Sequence, residues 1–183
     1  MGALHESIDE RIRAFIARQP LYFVASAPNV PDGHVNVSPK GHPETFRVID
    51  EHTVAYLDMT GSGAETIAHA RENGRVTIMF CAFEGPPNIV RLYGTARPVM
   101  PGDPGFADLI ALFPPQPGTR SVIVVAVTRV SDACGYSIPF MRYDGERETL
   151  RKWSRRKGED ELAAYRAERN AKSIDGLPAV PAT

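Results

Sequence analysis

The most informative stretch of the chain is residues 53–83, TVAYLDMTGSGAETIAHARENGRVTIMFCAF. It begins with a strand-like run, Thr53–Asp58, and it closes with another, Arg75–Phe80. Between them the small-residue loop Thr60–Gly63 precedes a short helical run, Ala64–Asn73. Such a loop leaves backbone N–H groups pointing outward at the positive end of the helix dipole, which suits a phosphate.

Two interpretations of this loop stay open on local sequence. Ser62 and Glu65 have the spacing of a capping box, in which side chains satisfy the start of the helix by themselves. No Gly-Lys-Ser/Thr follows the loop, and Thr66 stands where the third glycine of a dinucleotide-binding motif belongs. The loop is therefore either a capped helix start or an anion site of a less common kind.

Composition narrows the function classes. With 183 residues, 43% of them hydrophobic, we expect one domain, or one domain plus a tail. The net charge of −1 gives no reason to expect nucleic acid or a membrane as a partner, and no stretch approaches the ~18 apolar residues of a span. Cys81 and Cys134 are too few for a disulfide scaffold or a zinc site. The charged, amphipathic N-terminal segment is unlike a signal peptide, so we expect a cytoplasmic protein.

Short strand-like runs separated by turn residues dominate the chain. They are Leu21–Ala27, His34–Ser38, Phe46–Ile49, Thr53–Met59, Arg75–Phe80, Ile89–Val99 and Arg120–Val130. Because few helices separate them, they predict an antiparallel barrel or sandwich and not a doubly wound parallel sheet. The last run is almost continuously apolar and β-branched, which predicts a central strand buried on both faces.

Besides Ala64–Asn73, three helices are expected around these strands. Ser7–Gln19 has an apolar stripe and a Ser-x-x-Glu start, and Asp103 begins a short helix that continues to Leu112. From Arg142 to Lys172 the chain is rich in charge, with Trp153 on its packing side. We interpret this last segment as a solvated helix in preference to a phosphate or nucleic-acid surface.

The chain lacks the motifs of side-chain hydrolytic catalysis, and none of its five histidines has metal-site spacing. Any chemistry is thus expected to come from a bound cofactor. Asn36, Ser38 and Lys40 alternate along one strand and share a face, as do Arg91 and Tyr93 on another. Lys40 and Arg91 are suitable partners for a phosphate, so they favour the anion interpretation of the loop.

Several segments together resemble the pyridoxamine 5′-phosphate oxidase-like, FMN-binding split β-barrel family. They are Gly33–Gly41, Thr53–Thr66, Asn73–Phe80, Arg91–Gly94, Cys134–Pro139 and Asn170–Pro178. The resemblance implies a mainly β (α+β) fold, a six-stranded antiparallel split β-barrel with a few peripheral helices. It also implies a homodimer with FMN at its interface. Residues 1–145 would form the flavin-binding domain with its N-terminal helix, and residues 146–183 a helical extension and tail packed on it.

The resemblance also implies which residues hold the cofactor, whereas it identifies no catalytic residue and no metal ligand. The cofactor residues are Asn36, Val37, Ser38, Lys40, Leu57, Asp58, Ser62, Gly63, Arg91, Cys134, Tyr136 and Pro139. One departure is notable: relatives often have Ser-Arg-Lys in the phosphate loop, where this chain has Ser62-Gly63-Ala64-Glu65. Lys40, Arg91 or the basic C-terminal helix would have to supply the missing positive charge.

The expected function is that of a flavin-dependent oxidoreductase acting on a small molecule. Because the chain lacks the arginine-containing final strand of true pyridoxamine phosphate oxidases, we expect a different substrate. Two alternatives stay open. One is a deazaflavin or haem cofactor, for which His34, His42 and His69 are the candidate axial ligands. The other is a non-catalytic binding or structural dimer, which the acidic Glu65 favours.

Overall fold

A computed structural model gives the structure of residues 2–181, which form eight β-strands and four α-helices. In chain order these are β1 (Leu4–His5), α1 (Glu10–Ala17), β2 (Tyr22–Ser26), β3 (Asn36–Lys40), β4 (Phe46–Val48), β5 (Thr53–Met59), α2 (Glu65–Glu72), β6 (Arg75–Cys81), β7 (Ile89–Val99), α3 (Phe106–Ile110), β8 (Thr119–Ala133) and α4 (Thr149–Arg169). All seven strand-like runs of the sequence form strands. The expected count of six is too low, and β1 adds a strand of only two residues.

The strands form one antiparallel sheet in the order β3-β2-β6-β7-β8-β5-β4, with β1 paired to β8. The sheet curls around a hydrophobic core, which confirms the mainly β, split-barrel fold. β8 pairs with β7 along one edge and with β5 along the other, so it is central, as its sequence predicts. β3 and β4 are at the two ends of this order, so they are the edge strands that border the opening of the split barrel.

Both faces of β8 are buried, which is why its sequence is apolar at successive positions. Ile123 and Val125 belong to the main core inside the curled sheet. Val122 belongs to a second cluster outside it, against which Val124 and residues of α3 pack. The near-continuous β-branched run thus contributes side chains to two separate hydrophobic clusters, one on each face of β8.

An aromatic cluster fills the inner core near β3. The ring centroid of Tyr22 lies 5.0 Å from that of Phe46, 5.5 Å from that of Phe80 and 5.9 Å from that of Tyr56. All four rings are buried. The neighbouring polar side chains of β3 therefore lie next to a closely packed, buried aromatic cluster.

The helix starts differ from those expected. α1 begins at Glu10, because the Asp9 carboxylate caps it by accepting the Ile12 N–H at 2.7 Å; Ser7 is not the cap. α3 begins after Gly105, while the Asp103 carboxylate accepts the Met100 N–H at 2.8 Å. Before α1, Ser7 and Asp9 both have capping side chains, and the structure uses Asp9; before α3, Asp103 is bonded to Met100 and Gly105 takes the N-cap position.

The charged C-terminal segment begins its helix at Thr149, later than the expected Arg142, and Gly158 kinks it with a φ of 72°. Beyond α4 the chain returns to the barrel, where Ala179 and Val180 join the main core. The division of the chain near residue 145 stays a prediction, and residues 1, 182 and 183 lie outside the described part. Within residues 2–181, no helix combines the length and apolar character that a membrane span requires.

Candidate functional site

The inner face of β3 carries three polar side chains, Asn36, Ser38 and Lys40, which we call the β3 polar row. Their register with β2 places Ser38 opposite Val24 and Lys40 opposite Tyr22, two buried core residues. Directly opposed residues project to the same face of an antiparallel pair, so the row faces into the split of the barrel. Asn36 Nδ2 donates to Ser38 Oγ at 3.1 Å, which fixes the two side chains together.

The β3 polar row contacts the first turn of α2. Asn36 Nδ2 also lies 3.3 Å from Thr66 Oγ1, and Thr66 is buried. Thr66 was not among the expected cofactor residues, although it stands in the segment that carries the resemblance. The contact brings the row beside the Thr60–Gly63 loop, as the anion interpretation requires.

Lys40 is the half-buried cation of the row. Burial lowers the pKa of its ammonium group, the nearby Asp58 carboxylate opposes that shift, and Arg120 adds to it. The opposing effect of Asp58 is limited, because Asp58 is itself bonded to Arg120. The pKa of Lys40 therefore lies below its usual value, beside an ion pair whose own charges already compensate each other.

That ion pair is buried and bidentate. Arg120 Nε donates to Asp58 Oδ2 at 2.7 Å and Arg120 Nη2 donates to Asp58 Oδ1 at 3.1 Å, while the Ser121 hydroxyl donates to Oδ2 at 3.2 Å. Burial by itself raises the pKa of Asp58, but the Arg120 charge and hydrogen bonds outweigh it, and the pKa lies below its usual value. Both carboxylate oxygens of Asp58 thus accept hydrogen bonds from the protein itself, and the cofactor contact implied by the resemblance stays a prediction.

The carbonyl groups of the glycine loop are turned toward the protein. Arg120 Nη1 donates to the Gly63 carbonyl at 3.0 Å, and Asn170 Nδ2 donates to the Gly61 carbonyl at 2.9 Å. In a trans peptide the carbonyl of one residue and the N–H of the next point in opposite directions. The N–H groups of Ser62 and Ala64 consequently point away from Arg120 and Asn170.

No capping box forms at the start of α2, so the capping interpretation is wrong. The N-cap residue is Ala64, and no side chain caps the helix. Glu65 instead accepts the backbone N–H of Ile174, at 3.0 Å, from the C-terminal tail. No side chain caps the backbone N–H groups of the first turn of α2, which lie at the positive end of the helix dipole. Ser62 is exposed beside them.

Three expected cofactor residues lie on the other face of the sheet. Leu57 is buried in the outer cluster against α3, and Val37 points away from the polar row and is exposed. Arg91 pairs with Met79, on the face opposite to its buried neighbour Val90. Within one chain, Arg91 and Lys40 therefore do not converge on a common phosphate.

The late residues Cys134, Tyr136 and Pro139 follow β8 in an irregular segment, and all three are exposed. Tyr136 leaves 80% of its surface accessible. Gly135 turns the segment with a φ of 64°, where a side chain would meet the backbone of Asn88. The segment thus leaves the sheet at a defined turn, with its aromatic side chains directed to solvent.

Each of the three histidines proposed as haem ligands has its Nδ1 near a polar group of the chain, while Nε2 of His69 is buried without a hydrogen-bond partner. His34 Nδ1 lies 2.7 Å from Asp175, His42 Nδ1 lies 3.2 Å from Glu146, and the buried His69 Nδ1 lies 3.0 Å from the Ser26 hydroxyl. Across residues 2–181, the His, Cys, Asp and Glu side chains form no group of three that is placed to hold a metal ion.

Sequence reasoning did not identify Arg120, the residue that joins the loop to the sheet. It stands at the start of an apolar run, where a single arginine is easily taken for a flanking surface charge. The register with β5 places Ser121 opposite Asp58 and Thr119 opposite Met59, so Arg120 is the extra residue of a β-bulge, and its buried guanidinium reaches the Asp58 carboxylate. A buried acid requires a partner, and only the register shows that Arg120 supplies it.

Comparisons with known proteins agree with this architecture. The family model described as pyridoxamine 5′-phosphate oxidase matches residues 8–134. The pyridoxamine 5′-phosphate oxidase family protein ustO of Aspergillus flavus is 38% identical over 196 residues, covering 97% of this chain and 78% of that protein.

Two solved structures share the fold. A variant of HupZ from Group A Streptococcus has a TM-score of 0.51 at 24% identity, covering 69% of this chain and 99% of that one. A Bacteroides thetaiotaomicron protein named for 5-nitroimidazole antibiotic resistance has a TM-score of 0.50 at 16% identity, covering 72% of this chain and 86% of that one. With its barrel, its loop and its matched residues, the chain belongs to the pyridoxamine 5′-phosphate oxidase family.

Proposed function

We propose that the protein binds FMN and is a flavin-dependent oxidoreductase of the cytoplasm, acting as a homodimer on a small organic substrate other than pyridoxamine phosphate. Family membership supports the cofactor class. The observation that carries the proposal is the meeting of the β3 polar row with an α2 start that no side chain caps.

The phosphate of FMN is assigned to this meeting point. Lys40 supplies positive charge, Ser38 a hydroxyl, and the N–H groups of Ser62 and Ala64 supply backbone donors. Of the two acids nearby, Asp58 is paired with Arg120, and Glu65 is directed to the tail by the Ile174 N–H but keeps its charge, which Lys40 and the backbone donors have to outweigh. Asp58 then acts through Arg120, which holds the Gly63 carbonyl and so orients the loop.

A bound flavin supplies the redox chemistry, so the chain needs no side-chain nucleophile. Arg91, Val37 and Tyr136 lie away from the polar row of their own chain. We assign them to the cofactor site of the second protomer, in keeping with an interface site. The dimer is thereby part of the proposal, since one chain presents only part of the expected residue set.

The test begins with the visible absorption spectrum of the purified protein and with an FMN titration followed by flavin fluorescence. We expect saturable binding, and Lys40→Met, which keeps the apolar stem, to weaken it about tenfold through loss of a charge-assisted contact. Lys152→Met, at an exposed position of α4, is the matched control and leaves the affinity unchanged.

Other outcomes of these experiments would overturn specific parts of the proposed function. A Soret band, or binding of a deazaflavin in preference to FMN, replaces the cofactor assignment. A colourless protein that binds no flavin at high concentration favours a non-catalytic dimer. A protein that binds FMN and sediments as a monomer refutes the interface site.

A further inference from the structure

Two cavities of about 710 Å³ each share a wall formed by Pro20, Phe83, Met141 and Tyr143. We propose that the one bordered by Trp153, which we call the Trp153 groove, binds an aromatic small molecule bearing a carboxylate. None of the residues assigned to FMN lines this groove, so the proposal goes beyond the flavin site.

The walls of the Trp153 groove are apolar and aromatic. Leu21, Phe83, Met141 and Leu150 line it together with the indole of Trp153. The edge of Tyr165 meets the indole at a centroid distance of 5.2 Å, and Lys157 Nζ lies 5.5 Å from the indole centroid, which holds the ring in place. A fixed indole beside aliphatic and aromatic neighbours suits a planar apolar group.

One acid, Glu146, lines the groove. The Tyr143 hydroxyl donates to Glu146 Oε1 at 2.7 Å, and His42 Nδ1 lies 3.2 Å from Glu146 Oε2. His42 adopts a left-handed backbone conformation, with a φ of 59°, which is unusual for a residue other than glycine. The Thr45 N–H donates to the His42 carbonyl at 2.8 Å and holds that conformation. Glu146 keeps its negative charge in these contacts, so an anion in the groove needs more positive charge than this one acid offsets.

Two arginines at the groove supply its net charge. Arg142 and Arg147 line it and are exposed. Within residues 2–181, the ion pairs around the groove engage Glu44, Glu146 and Glu148, and neither of these arginines takes part in one. A guanidinium matches the planar geometry of a carboxylate. Apolar walls with two available guanidinium groups point to an aromatic acid.

The chain offers a direct reporter, because Trp153 is its single tryptophan. We would titrate the purified protein with 3-phenylpropanoate and follow Trp153 emission, with the uncharged 3-phenylpropan-1-ol as the matched ligand. The expected result is a saturable change with the acid, at an affinity about tenfold higher than that of the alcohol, as a charge-assisted contact provides.

Two double variants distinguish an effect of the groove arginines from an effect of the net charge of the protein. Arg142→Gln with Arg147→Gln is expected to weaken the acid about tenfold and to leave the alcohol unchanged. Arg97→Gln with Arg129→Gln removes the same charge from exposed sheet positions outside the groove and is expected to change neither. FMN affinity is expected to stay constant in both double variants.

The proposal is overturned if the acid and the alcohol bind equally, or if the two double variants weaken the acid equally. It is also overturned if emission depends on protein concentration and not on 3-phenylpropanoate, since a second copy of the chain would then cover the groove. A third variant, Met141→Asp, changes a residue of the groove wall. If it binds the acid as tightly as the unchanged protein does, the ligand lies elsewhere and the proposal is refuted.

Discussion

Replacing Arg120 by methionine leaves Asp58 buried without its partner. Each side chain of this pair is only 4% exposed, and the guanidinium makes three hydrogen bonds, two to Asp58 and one to the Gly63 carbonyl. Breaking a buried pair from one side costs about 3–5 kcal/mol, because the remaining charge is uncompensated. We expect Arg120→Met to lower the free energy of unfolding by that amount and to weaken FMN binding through the loosened loop.

The pH dependence provides a second measurement of the same event. In the unchanged protein the pKa of Asp58 lies below its usual value, so its stabilising contribution is present above the unfolded pKa and is lost as pH falls through the folded pKa. Without Arg120, burial raises the pKa of Asp58. We would therefore measure urea unfolding of Arg120→Met and of the unchanged protein at about pH 7 and about pH 5. The difference between their free energies of unfolding should be smaller at the lower pH.

The double variant Asp58→Leu/Arg120→Met is the control, since it removes both charges. It should recover most of the lost stability, because an apolar pair of similar volume is often as stable as a buried ion pair. A deficit below about 1 kcal/mol for Arg120→Met would mean that water reaches the pair, as at a surface salt bridge. Failure of the double variant to recover would show that the hydrogen bond to Gly63 matters more than the charge.

Two further predictions concern the ends of the chain. Asp9→Ala should cost about 1 kcal/mol in urea unfolding through loss of the α1 cap, whereas Ser7→Ala should cost little; equal losses would contradict the cap assignment. A hydrogen bond from the ring to Asp175 raises the pKa of His34. The stabilising contribution of this contact is therefore present below the unfolded pKa and is lost as pH rises through the folded pKa. In proton NMR titrations Asp175→Asn should lower the His34 pKa, and an unchanged pKa would show that the pair does not form in solution.

The strands were predictable because each one carries its own signal. Seven runs rich in β-branched and aromatic residues form seven strands, and the run at Arg120–Val130 is central, as its two-sided apolar character indicates. The alternation of Asn36, Ser38 and Lys40 also placed these side chains correctly on one face. Such features depend on a few neighbouring residues, which a sequence contains in full.

The relation between faces was not predictable, because it depends on pairing between distant strands. Lys40 and Arg91 both look like phosphate ligands, and each alternates with apolar neighbours on its own strand. Only the register Lys40–Tyr22–Phe80–Val90 shows that Lys40 shares a face with Val90 and not with Arg91. A shift of one residue in any of these pairings would have reversed the conclusion.

The loop Thr60–Gly63, where we propose that the phosphate binds, differs in sequence from the phosphate loop that the resemblance implies. Where relatives often place two cations after the serine, this chain has Gly63, Ala64 and Glu65, and it covers the loop from behind with Arg120 and Asn170. Those donors bind the loop carbonyls, so they direct the N–H groups of Ser62 and Ala64 outward. In the proposed anion site, the positive charge would come from Lys40 and from the helix dipole. The Ile174 N–H donates to Glu65 Oε2 and directs that carboxylate to the C-terminal tail, so the proposal requires that Lys40 and the loop amides outweigh the remaining charge of Glu65.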